Sequence, residues 1–143
     1  MKLSTKSRYG TRLMLDMAQH YQEGPIHLAQ VAQRQGISVK YLEQIIIPLK
    51  KADYILSVPG PKGGHTLARA PEEITVGEIV ALLEEGTSFV ECSDKDESCQ
   101  RSSICLTRRL WKEAAQAIFD KLSAITLADV INEAESSPAG RVV

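Results

Sequence analysis

The chain has 143 residues, of which 43% are hydrophobic and 24% charged, and its formal net charge is −1. These fractions are typical of a globular protein and exclude a globally disordered chain. Charged residues interrupt every strongly apolar stretch, which excludes a membrane-spanning helix, and the N-terminus has no apolar block of the secretory type. We therefore expect a protein that stays in the cytoplasm, without membrane attachment, where thiols are kept reduced.

The small net charge conceals two halves of opposite sign. Residues 1–69 hold ten Lys and Arg against four Asp and Glu, a net charge of +6. Residues 70–143 hold the remaining seven basic residues against fourteen acidic ones, a net charge of −7. A basic half of this size is typical of a nucleic-acid binder, although two simply solvated halves would have the same composition.

Capping residues and apolar residues three or four positions apart predict two helices at the start of the chain. The first begins at Ser4 or Thr5, runs to about Tyr21 and is stopped by Gly24-Pro25. One face of this helix is predicted to carry Tyr9, Leu13, Met17 and Tyr21. The short second helix has a predicted buried side that comprises Leu28, Val31 and Ala32.

A third helix is predicted from Val39 to about Lys51, after a tight turn at Gly36 and a cap at Ser38. Pro48 should kink this helix or shorten its last turn. Its predicted buried residues are Leu42, Ile45, Ile46 and Leu49. A helix, a short turn that contains glycine and a second helix form the helix-turn-helix arrangement. In this arrangement, the N-terminal end of the second helix contacts the DNA bases.

Four side chains are predicted to point outward near that N-terminal end. They are Lys40, Tyr41, Glu43 and Gln44. Lys can reach guanine or phosphate, Glu can accept a hydrogen bond from cytosine, and Gln can pair with adenine. The pattern therefore favours DNA binding, and the alternative is an ordinary helical hairpin with a solvated face.

Residues 54–58 and 65–68 predict two strands, which the sequence ProGlyProLysGlyGly at 59–64 joins as a loop. A hairpin directly after a recognition helix is a wing. Its tip carries Lys62 next to Gly63 and Gly64, so its backbone can approach a phosphate or a minor groove closely. Thr75 and Glu78 then predict the capping box of a fourth helix, which Gly86 ends. The predicted inward residues of this helix are Val76, Ile79, Val80 and Leu83.

All three cysteines, Cys92, Cys99 and Cys105, fall within fourteen positions with the spacing Cys-x6-Cys-x5-Cys. Thiolates are soft ligands for iron–sulfur clusters, zinc or copper(I), and several on one loop can wrap a metal. Residues 91–103 hold too few apolar side chains to order themselves by burial, so a metal could hold them. An odd number of cysteines leaves one unpaired in any disulfide framework, and the wide spacing disfavours zinc.

Beyond the cysteines, Thr107 is predicted to cap a helix that runs to about Ala124. Its apolar stripe comprises Leu110, Trp111, Ala114, Ala115, Ile118 and Leu122. A small domain has little interior for so wide a stripe, so we expect the same stripe on a second subunit to cover it. The alternative is that the helix folds back on its own core. Thr126 and Asp129 predict a final short helix, and the tail from Ser136 is expected to be disordered.

Taken together, these motifs resemble the IscR-type family of iron–sulfur-dependent winged-helix transcription regulators. The segments that carry the resemblance are LeuSerThrLysSerArgTyrGly at 3–10, GlyIleSer at 36–38, TyrLeuGluGln at 41–44, GlyProLysGlyGly at 60–64, ValGlyGluIle at 76–79, the three cysteines, CysLeuThr at 105–107 and LeuTrp at 110–111. The resemblance implies a mainly α fold, in which a winged helix-turn-helix domain with a two-stranded β wing is followed by a long C-terminal dimerisation helix. It also implies a homodimer that binds double-stranded DNA at a near-palindromic operator.

The resemblance further implies the residues of two sites. The expected DNA contacts are Arg8, Ser38, Lys40, Tyr41, Glu43, Gln44, Lys62 and Gly63, and the expected cluster ligands are Cys92, Cys99 and Cys105. A [2Fe–2S] cluster is slightly preferred over [4Fe–4S]. Many members of the family have a histidine three residues after the last cysteine. Here that position is Arg108, which offers no lone pair, so the fourth ligand is left open.

These observations predict four segments. They are a DNA-binding domain at 1–86, a cluster-binding loop at 87–106, a dimerisation helix with a short C-terminal helix at 107–135, and a disordered tail at 136–143. We expect a transcription regulator controlled by its cluster, and the alternative is a cluster-free regulator whose cysteines form a thiol switch or a zinc site. The sequence offers no Ser-His-Asp set, no paired carboxylates in an apolar setting and no nucleotide fingerprint, so we do not expect an enzyme.

Overall fold

The computed structural model describes residues 2–86 and 99–137. Within these ranges the chain forms six α-helices and one two-stranded antiparallel sheet. The elements in chain order are α1 (Thr5–Gln19), α2 (Leu28–Gln35), α3 (Val39–Lys51), β1 (Ile55–Val58), β2 (Gly64–Leu67), a 3₁₀ turn (Pro71–Glu73), α4 (Val76–Glu84), α5 (Leu106–Ser123) and α6 (Leu127–Ser136). The predicted mainly helical fold with a winged helix-turn-helix is confirmed. None of the helices in the described ranges has the length and apolar character needed to cross a membrane.

Helix α1 is fixed at its start by Ser4, whose hydroxyl accepts a hydrogen bond from the Ser7 backbone N–H at 3.0 Å. The helix ends at Gln19, two residues before the predicted end at Tyr21. The chain turns away there because Gln22 takes a left-handed backbone conformation with φ of 76°. Tyr21 is exposed and lies beyond the helix end, so its assignment to the same helix face as Leu13 and Met17 was wrong. Leu13 and Met17 are buried.

The turn between α2 and α3 has the predicted geometry. Gly36 is left-handed, with φ of 64°, and the Ser38 hydroxyl accepts from the Tyr41 backbone N–H at 3.2 Å. Helix α3 continues through Pro48 to Lys51, so the proline does not shorten the last turn. The four predicted buried residues Leu42, Ile45, Ile46 and Leu49 all lie in the core.

The wing is the hairpin of β1 and β2, whose register pairs Ile55 with Leu67 and Val58 with Gly64. Both strands start and end within one residue of their predicted positions. The segment before α2 extends this sheet, because the backbone groups of Ile26 and His65 exchange hydrogen bonds of 2.9 and 2.8 Å. The wing is therefore attached to the helix-turn-helix through β2.

The capping box of α4 is present as predicted, with Thr75 and Glu78 bonded to each other's backbone N–H groups. The helix ends at Glu84, and Glu85 adopts the left-handed conformation that closes it, so Gly86 is not the terminating residue. At α5 the residue before the first turn is Cys105, and Thr107 lies inside the helix. The prediction that Thr107 caps α5 was therefore wrong.

The C-terminal helix α6 packs back on the first half of the molecule. Thr126 and Asp129 form its capping box, and Leu127 is fully buried in the core. Ser136 still belongs to α6, so the predicted disordered tail does not begin there, and residues 138–143 lie outside the described ranges. In α5, by contrast, only Ala115 is buried. Three of the six predicted stripe residues, Leu110, Trp111 and Ile118, are exposed and therefore do not fold back on this chain's own core.

Candidate nucleic-acid interface and metal centre

The outward side of α3 is formed by polar side chains. Lys40, Glu43 and Gln44 are exposed there, as predicted. Tyr41 differs, because it is half-buried and packs edge-to-face on Tyr9, with ring centroids 5.8 Å apart. Tyr41 therefore joins α3 to α1, and the prediction that its whole side chain points outward was wrong.

A buried ion pair holds α2 against α1. Asp16 is only 1% exposed, and its carboxylate accepts hydrogen bonds from the Arg34 guanidinium at 2.6 to 3.2 Å and from the Gln35 amide at 2.9 Å. The hydrogen bond with Asp16 raises the pKa of Arg34, although burial acts in the opposite direction. Sequence reasoning missed this pair. The sequence feature that could have indicated the pair is Asp16 itself, an acidic residue between the buried positions Leu13 and Met17.

The wing tip places Lys62 in solvent, as predicted. Gly63 is buried, and its N–H donates to the Gly60 carbonyl at 2.9 Å. A Cβ on Gly63 would collide with the Val58 carbonyl oxygen, so the hairpin itself requires glycine at this position. Of the other predicted contact residues, Arg8 is exposed on α1, and Ser38 is exposed while its hydroxyl caps α3.

A shallow groove of about 430 Å³ lies between α2, α3 and β2. Its lining residues are Leu28, Glu43, Ile46, Ile47, Lys50, Lys51 and His65. Ile47 is 57% exposed at this position, although it is an isoleucine in the middle of a helix. Burial lowers the pKa of His65, and the nearby Lys50 and His27 lower it further, so its surroundings favour the neutral imidazole.

The base of the wing is tied to α4 by Tyr54, Arg69 and Glu78. The Arg69 guanidinium lies 4.8 Å from the centre of the Tyr54 ring and 3.5 Å from the Glu78 carboxylate. The Tyr54 hydroxyl donates to the same carboxylate at 3.4 Å. Burial raises the pKa of Tyr54, and the negative charge of Glu78 raises it further. The wing and α4 are thus connected directly.

Two of the three cysteines lie in the described ranges, and both Cys99 and Cys105 are half-buried free thiols. The Thr107 hydroxyl and the backbone N–H groups of Arg108 and Thr107 lower the pKa of Cys105. The first turn of α5 therefore favours the thiolate, which is the form that binds metals, so the donor chemistry of Cys105 fits a metal ligand.

The Arg108 guanidinium donates to the Ser102 carbonyl at 3.4 Å, close to the cysteines but without ligand capacity. Among residues 2–86 and 99–137, no three His, Cys, Asp or Glu side chains lie close enough together to hold a metal ion. Cys92 lies outside these ranges, and the structure therefore does not test the predicted three-cysteine site.

Comparison with known proteins identifies the family. Residues 3–133 match the family model of Rrf2, described as an iron-dependent transcriptional regulator. The chain belongs to the Rrf2 family. It is 51% identical over 138 residues to the protein rrf2 of Nitratidesulfovibrio vulgaris, covering 96% of this chain and 92% of that protein. It is 42% identical over 135 residues to the HTH-type transcriptional regulator IscR of Erwinia tasmaniensis, covering 94% and 81% of the two chains.

Solved structures of IscR and CymR have the same fold. IscR of T. potens superposes with a TM-score of 0.78 at 36% identity, over all of this chain and 93% of the other. CymR, the global cysteine regulator of B. subtilis, superposes with a TM-score of 0.75 at 36% identity, over 91% of this chain and 95% of the other. The oxidised form of CymR from Staphylococcus aureus gives a TM-score of 0.70 at 33% identity, over 100% and 98% of the two chains.

Membership of the Rrf2 family makes this chain a DNA-binding transcription regulator rather than an enzyme, as the sequence predicted. Within the Rrf2 fold, the polar face of α3 and the tip of the wing are presented by the basic half of the sequence. The acidic half carries α5, and the cysteines precede it. The positive charge of the first half therefore suits DNA, whereas the negative charge of the second half suits other partners.

Proposed function

We propose that this Rrf2-family regulator acts in the cytoplasm as a homodimer that binds a near-palindromic operator under the control of an iron–sulfur cluster. The observation that supports operator binding most directly is the polar face of α3, on which Lys40, Glu43 and Gln44 are all exposed. The N-terminal end of α3 enters the major groove, and Lys62 contacts the phosphate backbone. Arg8 and Ser38 contribute backbone contacts.

Dimerisation is supported by the apolar side chains of α5 that this chain leaves uncovered. Leu110 is 53% exposed and Trp111 41% exposed, and Ile118 on the same helix is also exposed. Large contiguous apolar surfaces on soluble proteins mark interaction sites. A second copy of α5 offers a complementary surface because a twofold interface uses the same patch on both subunits.

The cluster proposal is supported by the family description as iron-dependent and by the chemistry of Cys105 at the start of α5. Cys92, Cys99 and Cys105 would hold the cluster, with [2Fe–2S] slightly preferred over [4Fe–4S]. The cluster, when bound, supplies iron–thiolate bonds that join the three cysteines to one another. Arg108 cannot be the fourth ligand, so an acidic residue, a partner-subunit group or an external thiol completes the coordination.

Control of DNA binding follows from the two ends of α5. Cys105 immediately precedes its first turn, and Ile125, two residues after its last residue Ser123, accepts a hydrogen bond from the Val76 N–H of α4 at 2.8 Å. When the cluster-binding loop becomes more or less ordered, α5 therefore moves relative to its attachment at Val76 of the DNA-binding unit. Two recognition helices must be presented about 34 Å apart, so a small movement of the dimer helix weakens operator binding.

The test is purification under anaerobic conditions, followed by an absorption spectrum and iron and sulfide counts per chain. An operator is then selected from random DNA. We expect a coloured protein that holds iron and sulfide, and Cys92→Ala should lose both the colour and the cluster-dependent part of operator affinity. Ser103→Ala, an exposed residue of the same segment, is the matched control and should retain both. A colourless, iron-free anaerobic protein that binds its operator at full affinity would contradict cluster control but not operator binding.

A second candidate function is a regulator without iron whose cysteines act as a thiol switch or bind zinc. It is supported by the likeness to CymR, which is described as the global cysteine regulator in B. subtilis and was solved in an oxidised form from Staphylococcus aureus. Elemental analysis distinguishes the two proposals. If the thiol switch is correct, reductant and oxidant change operator affinity in protein that contains no iron.

A further inference from the structure

Ile47 lies in the middle of the outward face of α3. Positions i, i+3, i+4 and i+7 share one side of an α-helix, and Lys40, Glu43, Gln44 and Ile47 have this spacing. The opposite side of α3 carries the buried core residues. Ile47 therefore contributes little to this chain's core, and its apolar side chain stands among polar neighbours on the surface that faces DNA.

The charges around Ile47 favour a nucleic acid over a protein partner. Lys50 and Lys51 are exposed one turn further along α3, and Lys40 lies about two turns before it. Glu43 is the acidic neighbour on this face, so the lysines outnumber it. An apolar side chain on a face of net positive charge suits a groove whose walls are phosphates and whose floor presents an apolar group. Thymine supplies such a group in the major groove, its 5-methyl, and no other DNA base carries a methyl group there.

The position of Ile47 along the helix also brings it to the bases. It lies about 4.5 Å further along the α3 axis than Gln44, since each residue adds about 1.5 Å. When Gln44 lies in the major groove of a DNA duplex, Ile47 therefore lies next to the same groove. The shallow groove between α2, α3 and β2 adjoins Ile47 and has Glu43, Lys50 and His65 among its other lining residues.

We propose that Ile47 reads the 5-methyl group of a thymine in each operator half-site and so sets base preference at that position. The inference rests on the proposed operator binding by α3 and adds an apolar contact to the polar ones. Isoleucine has no hydrogen-bond donor or acceptor, so a search for base-pairing side chains does not identify Ile47 as a determinant of base preference.

The test uses the full-length protein and its selected operator, in which each thymine is replaced in turn by deoxyuridine, which lacks only the methyl group. For the wild type we expect a single substituted position per half-site to lower affinity about threefold to fivefold, as expected for one buried methyl group. For Ile47→Ala the thymine and deoxyuridine operators should bind equally at that position. Ile47→Ala should fold normally, as its thermal unfolding can verify, because the side chain is mainly exposed.

Leu56→Ala is the matched control, since Leu56 is an exposed apolar residue on β1 rather than on the α3 face. It should keep the wild-type ratio of affinities for thymine and deoxyuridine. If the wild-type protein binds every substituted operator as tightly as the original, the proposed role of Ile47 is overturned, but operator binding by α3 is not. Failure to select any operator would overturn operator binding, and this inference with it.

Discussion

Gly77 of α4 packs closely against Ser123 of α5. A Cβ placed on Gly77 would lie 2.7 Å from the Ser123 backbone nitrogen and 2.8 Å from its Cα. Around this point, Thr75 and Thr126 form an antiparallel bridge, and the Leu127 N–H donates to the Ile74 carbonyl at 2.9 Å. The C-terminal end of α5 is therefore held in one position against the DNA-binding unit, and glycine at 77 is what allows it.

Gly77→Ala should destabilise the protein, although alanine is normally the better helix residue by about 0.5–1 kcal/mol. The added methyl group meets backbone atoms, which cannot rotate away as a side chain can, and such overpacking costs about 1–3 kcal/mol. We expect a Tm lower by about 3–8 °C in thermal unfolding. Adding Ser123→Gly should restore little of this loss, because the backbone contacts remain. Full restoration by the second change would show that only the serine hydroxyl had obstructed the methyl.

Asp16→Asn should weaken the attachment of α2 to α1. The change keeps the shape of the side chain but removes the charge that pairs with Arg34, and hydrogen bonds to charged groups contribute about 1.5–3 kcal/mol. Because Arg34 is partly exposed and regains water, we expect a loss of about 1–2 kcal/mol in urea unfolding. Glu23→Gln, at an exposed position on the same side, should change stability little. A double-mutant cycle with Arg34→Gln measures the interaction, and a coupling energy near zero would contradict this account.

The sequence was sufficient where local chemistry decides the structure. Ser38, Thr75 and Thr126 were predicted as caps because a hydroxyl before an apolar run satisfies backbone N–H groups at a helix start, and the structure places all three as caps. Thr107 was predicted by the same rule and was wrong, because Cys105 already occupies the position before the first turn of α5. A rule based on one residue type cannot choose between two adjacent helix starts.

Features that depend on distant parts of the chain could not be predicted. The pairing of Asp16 with Arg34 and the contact of Gly77 with Ser123 join residues far apart in sequence, and nothing local specifies either partner. At the site, the spacing of the apolar residues in α3 was enough to predict which polar residues are exposed. The same spacing leaves Ile47 outside the core but does not indicate what it does. The three-cysteine prediction stays a prediction because Cys92 lies outside the described ranges.

Glu78→Gln should make stability less dependent on acidic pH. Burial of Glu78 opposes its charge, but the Thr75 backbone N–H and hydroxyl, together with Arg69, hold the pKa of the carboxyl below its ordinary value of 4.5. A lowered folded pKa gives stability that is present above the unfolded pKa and lost as the pH falls through the folded one. Glutamine keeps the cap but cannot titrate. Urea unfolding at several pH values below about 5 should show a shallower loss than in the wild type.

The control for this pH series is Glu72→Gln, a change of an exposed carboxylate on the neighbouring 3₁₀ turn. It should leave the wild-type slope unchanged. Equal slopes for Glu78→Gln and the wild type would show that the carboxylate does not contribute to acid sensitivity.

Lys62→Ala and Gln44→Ala should weaken operator binding in different ways. Removing the lysine that neutralises a phosphate at the wing lowers affinity for all sequences, and reduces the slope of log affinity against log salt concentration by about 0.9 for each phosphate no longer neutralised. Removing a side chain that pairs with a base relaxes preference at one base pair, by about 1–3 kcal/mol, and leaves the salt slope unchanged. Affinities for the selected operator and its single-base variants, each over a range of salt concentrations, distinguish the two. A Lys62→Ala protein with an unchanged salt slope would exclude the wing tip from the interface.

Leu110→Glu should convert the proposed homodimer to a monomer. Leu110 is exposed on this chain and lies on α5 next to Trp111, so a charge there would be buried without a partner in the dimer but solvated in the monomer. Sedimentation should show about half the wild-type mass, and operator affinity should fall by at least about tenfold because two half-sites can no longer be bound together.

Trp111 gives an independent measurement of the same change, because it is the only tryptophan of the chain. Its emission should move to longer wavelength when the wild type is diluted below its dimer dissociation constant, as water reaches the indole. In Leu110→Glu the long-wavelength emission should be present at every concentration. Lys112→Glu places the same charge at an exposed polar position of α5 and should leave both mass and emission as in the wild type. If Leu110→Glu sediments as the wild type does, α5 is not the dimer interface, and the movement of α5 proposed to control operator spacing loses its basis.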